Sequence, residues 1–323
     1  MREINPQRGE MPIQFFDKSP AWGIPQKGMY KVYHDGSHYV ATLLQPRGSR
    51  RDTVSDTNKI NIRRNNENAE ADKIFDKQCD NAVQDGLKGC ALQATMCKEM
   101  QGVVADVETY VKGRLSRRWH NLHARKKRFQ RKAQLNKWNY FVTITYDERK
   151  HNAEQFRTRL RKCLSNFATR RGWRYMGVFE KAPETGRLHF HALMFIPRGQ
   201  MPGKVYARRD YSTASHDMQT TSSNTFFEKT FGRNDFSEIN EADLKRGNST
   251  DYLLKYIGKT GERIVYSRKI KDSISIELTD NEIACEMTDY VQKYVLFDNV
   301  IDWARDVAKF TYEQQSFLRP LKR

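Results

Sequence analysis

The chain has 323 residues, with 57 Lys or Arg against 39 Asp or Glu, which gives a formal net charge of +18. A charge this positive indicates a polyanionic partner, most simply a nucleic acid, and does not indicate a fold. Five cysteines without a CxxC pair argue against a disulfide framework and fit a reducing compartment. We expect neither a secretory signal nor a membrane span, because no apolar run of sufficient length occurs.

The first part of the chain is predicted to form a hairpin and then helices. In MYKVYHDGSHYVATLL, Tyr and Val alternate on both sides of Asp35-Gly36, which is typical of a β-hairpin. From about Lys73 to Leu135 the pattern is mostly helical, with breaks near Gly86–Gly89 and Gly102. We assign residues 1–110 to an N-terminal extension.

The end of this helical segment is strongly basic. No Asp or Glu occurs from Thr109 to Tyr146, and eleven Lys or Arg lie between Lys112 and Lys137. One interpretation is a helix that lies along a phosphate backbone and adds affinity without sequence preference. The other is a solvated basic face on a helix that packs through its apolar side, and both can hold because they use different faces. The apolar residues are Leu115, Trp119, Leu122 and Phe129. The predicted DNA-binding residues are Arg117, Arg118, Arg125, Lys126, Lys127, Arg128, Arg131 and Lys132.

Strands and helices are predicted to follow from residue 138 to residue 260. YFVTITYDE is typical of a buried strand, and NAEQFRTRLRKCLSNFATRRG of a helix that Gly172 closes. WRYMGVFEKAPETGRLHFHALMFI reads as two strands around a turn. Helices packed on one face of an antiparallel sheet make an α+β fold, and we place this domain at residues 111–265.

A polar region from Pro197 to about Asn248 is predicted to be irregular, except for one short strand at DFSEIN. Within it, the Ser/Thr-rich residues 212–225 are interpreted as a loop, either mobile and in contact with DNA or disordered. STDYLLKYIGKTG then has a helix signature with Ser249 or Thr250 as its N-cap. The C-terminal extension, residues 266–323, is predicted to contain a strand at SISIEL and a helix through DNVIDWARDVAKF.

The sequence RLHFHALMF places two histidines one residue apart in an apolar strand. Because strand side chains alternate between faces, His189 and His191 point the same way and their neighbours face the core. With a two-residue turn at Thr185-Gly186, Glu180 lies opposite His191 and shares this face, whereas a three-residue turn would direct it away. A carboxylate and two imidazoles can hold one divalent ion and leave positions open. The alternative is a pair of half-exposed strand histidines without a ligand role.

The sequence DYLLKYIGK carries a second candidate group. Tyr252 and Tyr256 are four residues apart and so lie on one helix face, beside a row formed by Lys255 and Lys259. A tyrosine hydroxyl can act as a nucleophile, and a nearby lysine can ease loss of its proton and hold the phosphate that it attacks. The alternative is an amphipathic helix whose tyrosines belong to the core.

Taken in order, FVTITYDE, HFHALMF and YLLKYIGK resemble the three motifs of the HUH endonucleases, the rolling-circle replication initiators. The likeness is greatest to the two-tyrosine replication proteins of small single-stranded DNA phages of the microvirus and filamentous types, and it covers roughly residues 112–265. It implies a nickase and ligase of single-stranded DNA that keeps the 5′ end on a tyrosine and frees a 3′ hydroxyl to prime synthesis. The implied metal ligands are His189, His191 and Glu180, and the implied nucleophiles are Tyr252 and Tyr256.

The resemblance also implies a cofactor and partners. Mn²⁺ or Mg²⁺ is expected, with Mn²⁺ favoured by the two imidazoles, which would also suit Zn²⁺. The substrate is a single-stranded DNA origin, and the protein works in the cytoplasm of a bacterial host with a host helicase and DNA polymerase. The helicase must be a separate protein, because no GxxxxGK[ST] sequence occurs.

Three alternatives stay open at this point. A relaxase generally brings a third histidine, where this chain offers only Glu180, and a single-strand transposase usually has one tyrosine and a shorter chain. A non-catalytic DNA-binding or packaging protein would use its charge for binding and its tyrosines for base stacking. A structural zinc site at His189 and His191 lacks the cysteines such sites normally use.

Overall fold

A computed structural model of the chain describes residues 27–44, 69–182, 186–212, 216–240, 248–259, 264–287, 293–302 and 307–318. It confirms the α+β class, because helices accompany sheets whose paired strands are all antiparallel. The helices are α1 (Ala69–Gln84), α2 (Gly89–Glu99), α3 (Val107–Leu135), α4 (Ala153–Arg171), α5 (Thr225–Thr230), α6 (Asn248–Lys259) and α7 (Tyr312–Leu318). The strands are β1 (Lys27–His34), β2 (Tyr39–Leu43), β3 (Tyr140–Thr145), β4 (Arg174–Lys181), β5 (Leu188–Phe195), β6 (Val205–Ser212), β7 (Asp217–Asn224), β8 (Asn234–Glu238), β9 (Val265–Tyr266), β10 (Ile274–Thr279), β11 (Ile283–Glu286), β12 (Lys293–Leu296), β13 (Ile301–Asp302) and β14 (Ala308–Lys309). None of the described helices combines the length and the apolar character needed to cross a membrane.

The chain divides into two compact units. One comprises Met1–Gln45, Lys127–Tyr256 and Glu262–Arg323, and the other comprises Pro46–Lys126 and Ile257–Gly261. The three-part domain division predicted from the sequence stays a prediction.

The first unit contains a five-stranded sheet in the order β8-β3-β5-β4-β9. Alternate residues of its strands form a large apolar core together with α4 and α5. Helix α4 begins with a capping box between Asn152 and Gln155 and ends at Gly172, whose φ of 70° is the left-handed conformation that glycine adopts without strain. The core residues include Val142, Ile144, Phe156, Leu160, Leu164, Phe179, Phe190 and Ala192.

A second five-stranded sheet in the same unit has the order β10-β1-β2-β12-β11. The predicted hairpin at Asp35-Gly36 is its β1–β2 pair, and β1 also pairs with β10, with Tyr30 opposite Ile276. The predicted strand at SISIEL is β10. This sheet therefore joins segments that lie more than 200 residues apart along the chain.

The second unit is helical in its described part. Phe75, Cys79, Met96 and Met100 are buried between α1, α2 and the first turns of α3. Polar contacts repeat every four residues along α1 and α3 on either side of this core. Tyr110 donates to Asp72 at 2.6 Å, Arg114 contacts Asp72 at 2.9 Å and Asp76 at 3.0 Å, and Arg118 pairs with Asp80.

The predicted loop at residues 212–225 is wrong for most of its length. Residues Asp217–Asn224 form β7, which pairs with β6 in a two-stranded ribbon, while residues 213–215 lie outside the described part. Glu228 of α5 accepts hydrogen bonds from the hydroxyl of Tyr206 at 2.6 Å and from Arg208 at 3.1 Å. These tertiary contacts hold a ribbon whose sequence alone has no strand signature. The short strand predicted at DFSEIN is confirmed as β8.

Two further local predictions are wrong. The helix predicted through DNVIDWARDVAKF is replaced, in its described residues, by the paired strands β13 and β14. Val307 has a φ of 62°, which an α-helix excludes, and Val300 and Ile301 are buried beside the second sheet. Helix α6 starts at Asn248, before the predicted N-caps Ser249 and Thr250.

Gly177 generates a stability prediction. A Cβ atom at this position would lie 2.5 Å from the carbonyl oxygen of His191 and 2.7 Å from the Cβ of Ala192, which are parts of the adjacent strand that cannot move freely. Gly177→Ala should therefore lower the thermal midpoint of unfolding, with a cost of about 1–3 kcal/mol. Gly113→Ala is the matched control, because a Cβ added there would have nothing within 4 Å and alanine favours a helix. Equal midpoints for the two variants would contradict the close β4–β5 packing.

Candidate active site

The candidate active site lies on the face of the β8-β3-β5-β4-β9 sheet that points away from the α4 core. Strand alternation places Thr143 and Thr145 of β3, His189 and His191 of β5, and Glu180 of β4 on this face. The predicted pairing of the histidines is confirmed, since their rings are nearly parallel, with centroids 6.0 Å apart. Phe190 and Ala192 lie on the opposite face in the core, as predicted.

Each histidine is held by a threonine directly opposite it on β3. The Oγ1 of Thr145 lies 2.7 Å from Nδ1 of His189, and the Oγ1 of Thr143 lies 3.1 Å from Nδ1 of His191. These contacts fix both rings through Nδ1 and direct both Nε2 atoms away from β3. The sequence analysis did not assign the threonines a role, although their T-x-T spacing on one strand matches the H-x-H spacing on the next.

Glu180 reaches the histidine pair, but through a different register from the one predicted. Its Cα lies opposite His189, not His191, because the hairpin closes at Ala182 and Arg187 and leaves a four-residue loop in place of two residues. The register therefore shifts by two, which keeps Glu180 on the predicted face. Its Oε2 lies 3.0 Å from Nε2 of His191, and both side chains are largely buried.

The protonation of His191 follows from its partners. A carboxylate only accepts hydrogen bonds, so Nε2–H of His191 donates to Glu180, and Nδ1 of the neutral ring accepts from the hydroxyl of Thr143. A hydroxyl can also accept. The same threonine can therefore support the other tautomer, in which Nε2 carries a lone pair.

The environment of His189 favours the neutral imidazole. Burial is the largest cause that lowers its pKa from the ordinary value, and the neighbouring ring of His191 lowers it further. The charges of Arg187 and Arg233 act in the same direction, against the opposing effect of Glu180. A neutral imidazole is the form that binds a metal ion.

Tyr252 stands next to the histidines. Its ring packs edge-on against His191, with centroids 5.4 Å apart, and against Phe141 at 5.7 Å. The residue is 37% exposed, so it is both in contact with the site and open to a substrate. Helix α6 supplies it from a segment about 60 residues beyond β5.

The other residues predicted on this helix cannot be placed in the same way. Tyr256, Lys255 and Lys259 belong to α6 by their backbone, but their side chains lie outside the described part of the structure. Their roles stay predictions.

The described residues contain no group of three or more His, Cys, Asp or Glu side chains that could hold a metal ion as they stand. The chemistry of His191, Glu180 and His189 nevertheless fits a divalent ion. Two ligands at a right angle, each about 2.1 Å from a metal, lie about 3 Å apart, which is the separation of Nε2 of His191 and Oε2 of Glu180. Hydroxyls that hold Nδ1 are a common support for such imidazoles. A metal at this position stays a proposal.

The predicted DNA-binding residues of α3 occupy different surroundings. Arg118 pairs with Asp80, Arg131 lies 3.8 Å above the ring of Tyr33, and Lys132 is half-buried, so that burial lowers its pKa. Lys132 also donates to the carbonyl of Ile270 at 3.2 Å. Arg117, Lys127 and Arg128 are exposed, and Arg125 and Lys126 are half-buried. The interpretation of Trp119 as a packing residue is wrong, because it is 57% exposed.

Comparison with known proteins identifies one family. Residues 139–261 match a family model described as replication-associated protein, of the ORF2 type. The match starts one residue before β3 and ends just after α6, so it spans all the elements of the candidate active site. It covers less than half of the chain, and it supports a replication initiator family and a role in DNA replication. No curated protein and no solved structure matches the chain.

Thr145→Val tests the support of His189. The substitution keeps a β-branched side chain but removes the hydroxyl on Nδ1, so Mn²⁺ affinity should fall about 10- to 100-fold by titration calorimetry. Thr145→Ser restores a hydroxyl and should restore most of the affinity. If the valine variant binds Mn²⁺ as the unmodified protein does, the hydroxyl does not orient a ligand.

The surroundings of His189 predict an acid-shifted titration. Because its pKa is lowered, the ring should stay neutral until the pH falls below the ordinary midpoint of about 6.5, as followed by NMR of the metal-free protein. Arg233→Ala removes a charge that lowers this pKa and should move the midpoint to higher pH. A midpoint at or above the ordinary value in the unmodified protein would contradict the effect of burial.

Proposed function

We propose that the chain is a metal-dependent nickase and ligase of single-stranded DNA, which initiates rolling-circle replication at an origin through a 5′-phosphotyrosine. The observation that carries the proposal is the contact of Tyr252 with His191, whose Nε2 is hydrogen-bonded to Glu180. A nucleophile, a carboxylate and two imidazoles on one sheet face suit attack on a phosphodiester. The family match to replication-associated proteins supports the same biological setting.

The proposed reaction exchanges one ester for another. The hydroxyl oxygen of Tyr252 attacks the scissile phosphorus, the new O–P bond joins the tyrosine to the 5′ phosphate, and the bond to the 3′ oxygen breaks. The tyrosine loses its proton, and the leaving 3′ oxygen gains one to become a hydroxyl. A phosphodiester is consumed and a phosphodiester is formed, so rejoining by a 3′ hydroxyl needs no ATP.

The charges near the histidines support binding of the scissile phosphate. Arg187 and Arg233 both act electrostatically on His189, so positive charge surrounds this end of the site. Thr143 and Thr145 keep the rings in place as substrate arrives. Mn²⁺ or Mg²⁺ bound by His189, His191 and Glu180 would stabilise the negative charge that develops on the phosphoryl oxygens.

The remaining parts of the proposal rest on the resemblance of the motifs. Tyr256 would cut after one round of synthesis, and the freed 3′ hydroxyl would close the circle on the first tyrosyl ester. Lys255 and Lys259 would assist the tyrosines. A host helicase would separate the strands, a host DNA polymerase would extend the 3′ end, and the bacterial cytoplasm would be the place of action.

A covalent adduct is the direct test. The purified protein, incubated with Mn²⁺ and a labelled single-stranded origin oligonucleotide, should form a protein–DNA band that survives a denaturing gel. Tyr252→Phe should lower adduct formation by at least 100-fold if Tyr252 makes the first cut, because phenylalanine has no oxygen to attack. Glu180→Ala should reduce the adduct while leaving Tyr252 intact.

The matched control is Tyr312→Phe. Tyr312 is 79% exposed, more than Tyr252, but has no imidazole beside it among the described residues, so its loss should leave the adduct unchanged. Binding of the oligonucleotide without an adduct under every metal would favour a non-catalytic DNA-binding protein. An adduct that persists in Tyr252→Phe and disappears in Tyr256→Phe would assign the first cut to the second tyrosine.

A further inference from the structure

Trp119 is the exception among the described tryptophans. It is 57% exposed, whereas Trp138 and Trp173 are buried to within 2% of their surface. Indole is one of the largest apolar side chains, and leaving it in water forgoes the stabilisation that burial would give. Its position is in the middle of α3, in the helical unit, which carries none of the described residues of the candidate active site.

Two imidazoles hold the indole in place. The ring of His123, one turn further along α3, lies 4.1 Å from the Trp119 ring between centroids, and that of His120 lies at 5.4 Å. The planes make angles of 47° and 78° with the indole. The aromatic group is therefore supported from its own helix, while more than half of its surface stays open.

A basic stripe of α3 contains this tryptophan. Lys112, Ser116, Trp119, His123 and Lys126 follow one another at spacings of four, three, four and three, so they line one side of the helix. Each lysine is about 10 Å from Trp119 along the helix axis. Phosphates on either side of one nucleotide seated on the indole lie within reach of side chains this long.

The acidic residues of the neighbouring helix do not neutralise this stripe. Asp72, Asp76 and Asp80 of α1 pair with Arg114 and Arg118, which lie beside the stripe on α3. The chain contains no Asp or Glu from Thr109 to Tyr146. The stripe therefore keeps a positive charge next to an open aromatic face, which is the combination that binds unpaired nucleic acid.

We propose that the stripe Lys112–Ser116–Trp119–His123–Lys126 is a second DNA-binding site, at which an unpaired base stacks on Trp119 and the lysines bind the flanking phosphates. Base pairs of a duplex are already stacked and offer no free base face, so the indole selects single-stranded over double-stranded DNA. The occupant is a run of a few unpaired nucleotides. This site goes beyond the proposed nicking reaction, which does not use it.

Binding of fluorescent oligonucleotides to the full chain tests the proposal. Trp119→Ala should weaken binding of single-stranded oligo-dT roughly 10-fold by anisotropy and leave binding of a duplex of the same length unchanged. Trp119→Phe keeps a ring and should stay within about threefold of the unmodified protein. Thermal unfolding of each variant checks that the fold is retained, which the exposure of the side chain leads us to expect.

The matched control is Phe317→Ala. Phe317 is 90% exposed, but helix α7 contains no Lys or Arg, so its loss should not affect single-strand binding. The proposal is overturned if Trp119→Ala binds both DNA forms normally, or if it weakens both equally. It is also overturned if the alanine variant changes only the sedimentation of the protein, since the indole would then be a contact between copies of the chain. All these readouts are of binding, so they are independent of whether Tyr252 forms an adduct.

Discussion

Strand β5 runs between β3 and β4, and its pairing with both neighbours holds the histidines, the threonines and the glutamate of the candidate active site on one face. A slip of one residue would send His189 and His191 into the apolar core and bring Phe190 into solvent. Such a slip would leave two imidazoles buried without partners, which costs far more than the pairing itself gains. The core and the site are therefore specified by the same alternation, and neither can shift alone.

The threonines add chemical tolerance to this rigid frame. Their hydroxyls can donate to Nδ1 or accept from it, so each ring can change tautomer without losing a hydrogen bond. His191 can thus donate to Glu180 in one state and present a lone pair at Nε2 in another. A carboxylate in place of Thr143 or Thr145 could only accept, and it would favour one tautomer.

Sequence reasoning succeeded where the pattern is local. The two-residue period of HFH determined the face of both histidines, and the four-residue spacing of the tyrosines determined their helix. The predicted turn at Thr185-Gly186 was two residues too short, yet Glu180 kept its face because the error was an even number. That success came from parity, not from knowledge of the loop.

Local patterns failed where distant contacts decide the structure. The β6–β7 ribbon is exposed over much of both faces and depends on Glu228, so its Ser/Thr-rich sequence resembles a loop. The pairing of Tyr30 with Ile276 leaves no mark in either segment alone. Trp119 was assigned to packing because apolar periodicity does not reveal which positions have a neighbour to pack against.

The second sheet has a consequence for biosynthesis. The β1–β2 hairpin is translated about 230 residues before β10, which pairs with its outer edge. At typical elongation rates the ribosome needs roughly ten seconds or more to supply the missing strand. During this interval the apolar side chains of Tyr30, Val32 and Ala41, buried in the finished sheet, have no partner strand beyond the hairpin. The nascent hairpin is thus a natural client for a ribosome-associated chaperone, and the sheet can close only after nearly the whole polypeptide has been made.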